Sequence, residues 1–257
     1  MASNAPRLAI LGSPMSQPTR MALWTARALG VDAPLTKVDA GKGEHRSAEF
    51  LRKNPNARFP VLVDGEFVVY ESNAIAQYLV AQYGGKSPAV AKQLVPEDAR
   101  ARAHVQQWLD WKHGALRSGL AGIVRRRVLQ FTMKDISQHS MSLDFKEIPE
   151  SRQVRELLES MRILEQQLVG TGAFLVPGTT RPTLADVAVF EEVDQLRVLP
   201  AGKPLPDGRD LAAYPNVAAW AARVKAGVPG YDDVHKELNA AVAGLDKQRE
   251  AQAKSKM

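Results

Sequence analysis

The sequence of 257 residues contains no cysteine. This absence excludes a disulfide framework, a thiolate zinc site, an iron–sulfur cluster and a catalytic cysteine nucleophile. Any sulfur chemistry of the protein must therefore use a thiol that the protein borrows. The five histidines show no metal-ligand spacing such as HExxH, so we expect no metal site.

Long apolar runs and aromatic residues are also scarce. The sequence has no apolar stretch of about 18 residues or more, so we expect no transmembrane helix and no membrane partner. Met1–Pro6 lacks the apolar core of a secretory signal. Aromatic residues make up only 6% of the chain, and the basic run Arg125–Arg127 is short, so we expect no nucleic-acid partner. By itself, the net charge of +6 can indicate nucleic acid, an anionic membrane or small anionic substrates as partners.

The first part of the chain alternates between strand and helix patterns. Apolar runs predict two strands around an amphipathic helix, and two further strands flank a turn at Asp64-Gly65 before a helix capped by Ser72. The predicted segments are Leu8–Leu11, Thr19–Leu29, Leu35–Val38 and Phe59–Tyr70. The pattern is therefore β-α-β followed by β-β-α.

The second part reads as helical throughout. Gly84–Pro96 is rich in glycine and proline and resembles a linker. Helical periodicity then covers Asp98–Leu129, Arg152–Val169, Leu184–Val198, Asn216–Ala226 and Val234–Leu245, with a capping box at Thr183–Asp186. We predict an α/β domain over residues 1–84, an all-α domain over residues 97–245 and a flexible tail over residues 246–257.

Two serines stand where helices begin. Ser16 follows the first strand, and its hydroxyl beside unpaired N–H groups could stabilise an anion, including a thiolate. Glu71-Ser72 offers a carboxylate for an ammonium group and a helix N-terminus for a carboxylate, the two charges of an amino acid. The alternative for both serines is a simple helix cap.

Two further features have structural alternatives. If the Phe59-Pro60 bond is cis, the preceding backbone can pair with an extended peptide; otherwise Pro60 only starts a strand. His45 lies in a polar connection, where a lone histidine is usually solvated.

In their order along the chain, these motifs closely resemble those of glutathione S-transferases. Met15–Arg20 (MSQPTR) is similar to the theta class, in which a serine is catalytic, and Gly12–Ser16 also resembles the phi class. KGEH, NPNARFP and ESNAIAQYL follow in the family's order. Asp110–Arg117 (DWKHGALR), Gln195–Leu199 and Pro229–Asp233 resemble the theta-class helical domain. The resemblance implies a thioredoxin-like α/β domain followed by the all-α domain.

The resemblance also implies roles for residues at the reacting sulfur and beside it. Ser16 would donate its hydroxyl to the glutathione sulfur, and Arg117 would face that sulfur and favour its negative charge. The backbone of Phe59 would pair with the cysteinyl residue of the tripeptide.

The resemblance further implies which residues would hold the two ends of glutathione. His45 and Arg58 would approach the glycyl end, and Glu71 with Ser72 would hold the γ-glutamyl amino and carboxylate groups. Glutathione is the expected co-substrate, and no metal is implied.

The implied activity is conjugation of glutathione to electrophiles, reduction of organic hydroperoxides, or both, in a homodimer with the second-substrate pocket between the domains. A non-catalytic transferase-like interaction domain, of the elongation-factor or stress-protein type, is the alternative. Ser255–Met257 (SKM) resembles the peroxisomal C-terminal signal SKL, so the expected location is the cytoplasm or the peroxisome.

Overall fold

The computed structural model describes residues 7–124, 150–199, 205 and 211–254. The basic run Arg125–Arg127, the end of the helix predicted to reach Leu129 and the tripeptide Ser255–Met257 lie outside the described residues. Within the described ranges, no helix has both the length and the apolarity that a membrane span needs.

The N-terminal part forms a four-stranded mixed sheet with helices against it. Its strands and helices, in chain order, are β1 (Leu8–Gly12), α1 (Gln17–Ala28), β2 (Leu35–Lys37), α2 (Ala48–Lys53), β3 (Val61–Asp64), β4 (Phe67–Tyr70) and α3 (Ser72–Tyr83). The strand order is β2-β1-β3-β4, with β1 parallel to β2 and antiparallel to β3, and β3 antiparallel to β4. The predicted thioredoxin-like βαβ-ββα arrangement is confirmed.

The connection from β1 to α1 depends on a close approach of strand and helix. Pro18 occupies the first turn of α1, where its missing N–H has no intrahelical partner to lose. At Gly12, a Cβ atom would lie 2.6 Å from Thr19 Oγ1, so a larger residue there would push the helix away from the strand. Gly12 therefore lets the loop of residues 13–16 fold tightly against the start of α1.

Two local predictions in this part are off by one residue. The strand register pairs Asp64 with Phe67, so the hairpin turns at Gly65-Glu66 and not at Asp64-Gly65. Gly65 has φ +61°, a left-handed conformation that glycine adopts without a steric cost. Glu71, not Ser72, occupies the N-cap position of α3, and Ser72 is its first helical residue.

The rest of the described chain is helical. The helices are α4 (Pro88–Leu94), α5 (Ala99–Trp111), α6 (Arg117–Val124), α7 (Glu150–Thr171), α8 (Leu184–Asp194), α9 (Pro215–Gly227) and α10 (Tyr231–Lys254). A π-helical turn, Lys112–Leu116, joins α5 to α6, and a 3-10 turn, Gln195–Val198, follows α8. The capping box is present: Thr183 N donates to Asp186 Oδ2 at 2.7 Å.

The segments predicted as a linker and as a flexible tail are both partly helical. Gly84–Pro96 contains α4, which begins at Pro88. Residues 246–254 continue α10 to Lys254, and the flexibility predicted for this tail stays a prediction. That stretch lacks an apolar stripe, but Arg249 donates to the carbonyl oxygens of Val198 at 2.7 Å and Leu199 at 3.0 Å. A polar tertiary contact of this kind leaves no periodic signal in the sequence.

Helix α1 belongs to the cores of both parts. Ala22 and Ala26 pack into the apolar cluster beneath the sheet, whereas Met21 and Trp24 pack into the cluster of the C-terminal helices. The Trp24 ring meets Phe190 of α8 edge to face, with centroids 5.4 Å apart. The helix that begins beside Ser16 is therefore fixed from both sides.

Candidate active site

Ser16 stands at the N-cap position of α1 with an extended backbone (φ −89°, ψ 123°), yet its side chain makes no capping hydrogen bond. The residue is half-buried, and its N–H donates to Ser13 O at 3.0 Å. The helix N-terminus adds a partial positive charge and N–H donors that no carbonyl group of the helix satisfies. A simple capping role does not account for this hydroxyl, which remains able to donate to a ligand.

Arg20 supports the Ser16 loop from inside the protein. Its side chain is fully buried, Nη1 donates to Pro14 O at 3.1 Å, and Nη2 donates to Gln195 Oε1 at 2.8 Å. Nε donates to Glu191 Oε2 at 2.8 Å, and the other oxygen of Glu191 lies 3.0 Å from His235 Nε2. Sequence reasoning quoted Arg20 only as part of a motif and missed this network. A sequence signal for it was the Glu191-Glu192 pair directly after the apolar run Val187–Phe190 in the same helix.

Glu71 and Ser72 start α3 in an unusual geometry. Glu71 is exposed and has φ +71°, a conformation that is strained for a residue with a Cβ and often marks functional sites. Ser72 is 2% exposed, and its Oγ has no hydrogen-bond partner among the described residues. A buried orphan oxygen beside an exposed carboxylate at a helix N-terminus fits an incoming zwitterion.

Arg58 and Phe59, two further residues predicted to contact the tripeptide, lie directly before β3. The Phe59–Pro60 peptide bond is cis, and Phe59 is half-buried. Arg58 is exposed, and its carbonyl oxygen accepts from Asn54 Nδ2 at 2.6 Å. Both residues therefore lie directly before a central strand of the sheet, while their contacts with a ligand stay predictions.

His45 is not solvated, in contrast to the usual expectation for a lone histidine in a polar connection. Its side chain is fully buried and meets the Phe59 ring edge to face, at 6.5 Å between centroids. Burial, and to a smaller extent the charge of Arg46, lowers the pKa of His45. The observed position supports Phe59, and a direct contact with the glycyl end stays a prediction.

Arg117 is paired with a buried carboxylate. Its Nη1 lies 2.6 Å from Glu192 Oε1, and the Glu192 side chain is 1% exposed. The guanidinium is 23% exposed, so part of it still faces solvent. Sequence reasoning missed Glu192, which neutralises part of the charge that Arg117 could offer to a thiolate.

Comparison with known proteins decides the family. Residues 7–81 match the model for the glutathione S-transferase N-terminal domain, and residues 129–223 match the model for the C-terminal domain. The chain belongs to the glutathione S-transferase family. Within the described ranges, no group of three or more histidine and acidic side chains is arranged to hold a metal ion.

The relatives of this glutathione S-transferase include plant T-type and mammalian theta-class enzymes. It is 32% identical to glutathione S-transferase T1 of Arabidopsis thaliana, over 97% of this chain and 96% of that protein. It is 31% identical to human glutathione S-transferase theta-2, over 82% of this chain and 78% of that protein. It spans 40% of the length of two other Arabidopsis relatives, T3 and T2.

The fold of this glutathione S-transferase matches solved structures over almost its whole length. Human theta-2, solved in complex with glutathione, superposes with a TM-score of 0.74 at 27% identity, covering 94% of this chain and 91% of that one. The resemblance to theta-class enzymes and the predicted fold class are therefore confirmed.

Proposed function

We propose that the protein is a glutathione transferase in which Ser16 activates the thiol of bound glutathione. The thiolate would displace a leaving group from an electrophilic carbon. Alternatively, it would attack the terminal oxygen of an organic hydroperoxide, which releases the alcohol and leaves glutathione sulfenic acid, and a second glutathione would convert that to the disulfide and water. The observation that carries this proposal is the Ser16 hydroxyl, which makes no capping hydrogen bond at the N-terminus of α1. Serine without a partner base is a weak nucleophile, so its role here is to donate a hydrogen bond.

The required stabilisation is within reach of these groups. A free thiol has a pKa of about 8.5, and lowering it by about two units takes roughly 2.7 kcal/mol of preferential thiolate stabilisation. A hydrogen bond to a charged acceptor contributes about 1.5–3 kcal/mol, and a helix N-terminus about 0.3–1 kcal/mol. Because Glu192 already pairs with Arg117, Ser16 and α1 carry more of this stabilisation than the arginine does.

The tripeptide would lie along the edge formed by the predicted binding residues. Glu71 is exposed and would accept from the γ-glutamyl ammonium, while Ser72 Oγ would gain the partner that it otherwise lacks among the described residues. The Phe59 backbone would pair with the cysteinyl residue, and Arg58 would attract the glycyl carboxylate. His45 would act mainly by holding Phe59 in place.

The direct test is a thiolate titration of bound glutathione by ultraviolet difference absorbance. Wild-type protein is expected to show a thiolate pKa well below that of free glutathione, and Ser16→Ala is expected to raise it. Ser13→Ala is the matched control, because Ser13 lies on the same loop and its Oγ accepts from Met15 N at 3.3 Å. Failure of the wild type to bind glutathione at millimolar concentration would refute the enzyme proposal.

Failure of the wild type to bind glutathione would favour the alternative, a non-catalytic interaction domain. The presence of Ser16, Glu71 and Ser72 in a geometry suited to glutathione argues against this alternative.

We also propose that the protein is a homodimer. β4 is an edge strand, and it exposes Phe67 (46%) and Val68 (37%). Phe67 stacks on Tyr78 of α3, with ring centroids 4.7 Å apart, so the apolar patch continues from the strand onto the helix. A second copy of the chain would cover this patch, which an isolated chain would leave in water.

A further inference from the structure

A buried lysine contacts the first turn of α3. Lys112 is 1% exposed, and its Nζ donates to Asn73 Oδ1 at 3.1 Å and to Met21 Sδ at 3.5 Å. Asn73 in turn donates through Nδ2 to Leu109 O at 3.1 Å. The ammonium group thus links the π-helical turn to α1 and α3, and Asn73 links α3 to the end of α5.

The charge of this ammonium is incompletely balanced. Among the residues that the structure describes, no carboxylate lies within ion-pair distance of Lys112 Nζ. Glu192, Glu191 and Glu71 attract it from farther away, whereas Arg117 repels it. Burial outweighs this attraction and lowers the pKa of Lys112 to about 8. The lysine is therefore charged at neutral pH but close to losing its proton.

The charged groups around Lys112 either contact other residues or lie at the surface. Glu192 pairs with Arg117, and Glu191 pairs with Arg20 and contacts His235. His113 follows Lys112 on the same turn, and burial and the lysine's charge both lower its pKa. Glu71 remains exposed at the start of α3. None of these groups offers the ammonium a direct partner.

An independent observation concerns Ser72, on the same turn of α3 that this lysine contacts. Ser72, the residue before Asn73, is 2% exposed, and its Oγ has no partner within the described part of the chain. A buried ammonium that contacts the first turn of α3 and a buried hydroxyl without a partner on that turn are each costly to the folded protein. A carboxylate bound at this turn would relieve both costs at once.

We propose that Lys112 is a positioning residue for the γ-glutamyl carboxylate of glutathione. It orients the first turn of α3 through Asn73, and its charge favours the anion that binds there. This inference rests on the proposed function and adds a residue to it. The competing explanation is that Lys112 only ties the helices together, in which case its charge is irrelevant to the ligand.

The test compares the binding of S-methylglutathione by wild type and Lys112→Met between about pH 6.5 and 9.5, by calorimetry. The methylated ligand has no titrating thiol, and its amino group titrates equally with both proteins. The Kd of Lys112→Met divided by the Kd of wild type therefore reports the contribution of Lys112 alone. We expect a ratio of about tenfold at pH 7 that falls towards about twofold above pH 9, as wild-type Lys112 loses its proton.

Lys92→Met is the matched control. Lys92 is 63% exposed on α4, which follows the C-terminal end of α3, and it pairs with Glu97, so its loss removes the same charge away from the first turn of α3. Its Kd ratio to wild type should stay near one at every pH. In Lys112→Met, KM for glutathione should rise by more than kcat falls.

A second variant keeps the test informative if Lys112→Met does not fold. Asn73→Ala removes the hydrogen bond between Lys112 and α3 but keeps the Lys112 ammonium. Binding of S-methylglutathione should therefore weaken about three- to fivefold while its pH dependence remains. A Lys112→Met ratio near one, or a raised ratio that does not change with pH, would overturn the inference and leave the proposed function intact. Absence of binding by wild-type protein would instead overturn the proposed function.

Discussion

Arg20 of α1 and Glu191 of α8 form an ion pair at 2.8 Å in which the side chains are 0% and 1% exposed. The pair joins the two halves of the molecule, and Arg20 also donates to Pro14 O in the loop that carries Ser16. Removing one partner of a buried pair leaves an uncompensated charge, which typically costs about 3–5 kcal/mol. The geometry of the Ser16 loop and the stability of the domain interface therefore depend on the same arginine.

Arg20→Met should lower the free energy of unfolding by about 3–5 kcal/mol, because Glu191 stays buried after its ion pair with Arg20 is lost. Urea unfolding followed by circular dichroism measures this change. Lys37→Met is the control, since Lys37 pairs with Glu237 at the surface with 64% and 49% exposure and such pairs contribute about 0–1 kcal/mol. Equal effects of the two substitutions would contradict a special role for the buried pair.

Ser16→Ala should reduce turnover about 10- to 100-fold near neutral pH and change the Kd of glutathione little. The lost donor raises the pKa of the bound thiol, and about 1.5–3 kcal/mol of thiolate stabilisation disappears. Steady-state kinetics with a panel of halides and hydroperoxides gives the change in kcat and shows which substrates the enzyme accepts. An unchanged rate would move the activating role to Ser13 or Arg117.

Ser72→Ala should weaken the binding of glutathione without lowering the stability of the free protein. Because Ser72 Oγ is buried without a partner among the described residues, its removal should leave the unfolding free energy unchanged or slightly higher. Binding of glutathione should weaken by about 0.5–1.5 kcal/mol, or roughly 2- to 13-fold. Thermal unfolding with and without glutathione measures both effects. A loss of stability without ligand would show that the hydroxyl has a structural partner.

Lys112→Met should stabilise the free protein below pH 8. The pKa of Lys112 falls from 10.5 to about 8 on folding, so the unfolded chain binds more protons than the folded one between these values. The penalty for burying the ammonium is complete below pH 8, and it is relieved as the pH rises towards 10.5. The variant should therefore gain on the order of 3 kcal/mol at pH 7, and this advantage should shrink at alkaline pH. A gain that is independent of pH would contradict this linkage.

Phe67→Asp should convert the proposed dimer into a monomer. The substitution places a charge in the exposed apolar patch of β4, which a partner subunit could not bury without a large desolvation cost. Light scattering after size exclusion measures the mass in solution. Val169→Asp is the control, because Val169 is 70% exposed on α7 and lies outside this patch. A wild-type protein that is already monomeric would refute the dimer proposal.

Apolar periodicity predicted the order of the elements because burial follows it directly. The hairpin shifted by one residue because Asp64 pairs with Phe67 and leaves Gly65, with its positive φ, in the turn. The motifs located Ser16, Glu71 and Ser72 because each lies at a helix start that short-range rules recognise. Lys112 escaped prediction, since only tertiary packing decides that a lysine is buried.

The division of α1 between two cores limits how the halves can be separated. Met21 and Trp24 are fully buried only because the C-terminal helices cover them, whereas Ala22 and Ala26 of the same helix face the sheet. A fragment that ends near residue 84 would present an indole and a thioether to water and would tend to aggregate. Exchange of N-terminal halves between relatives would succeed only when the grafted α1 carries side chains that fit the recipient's helices.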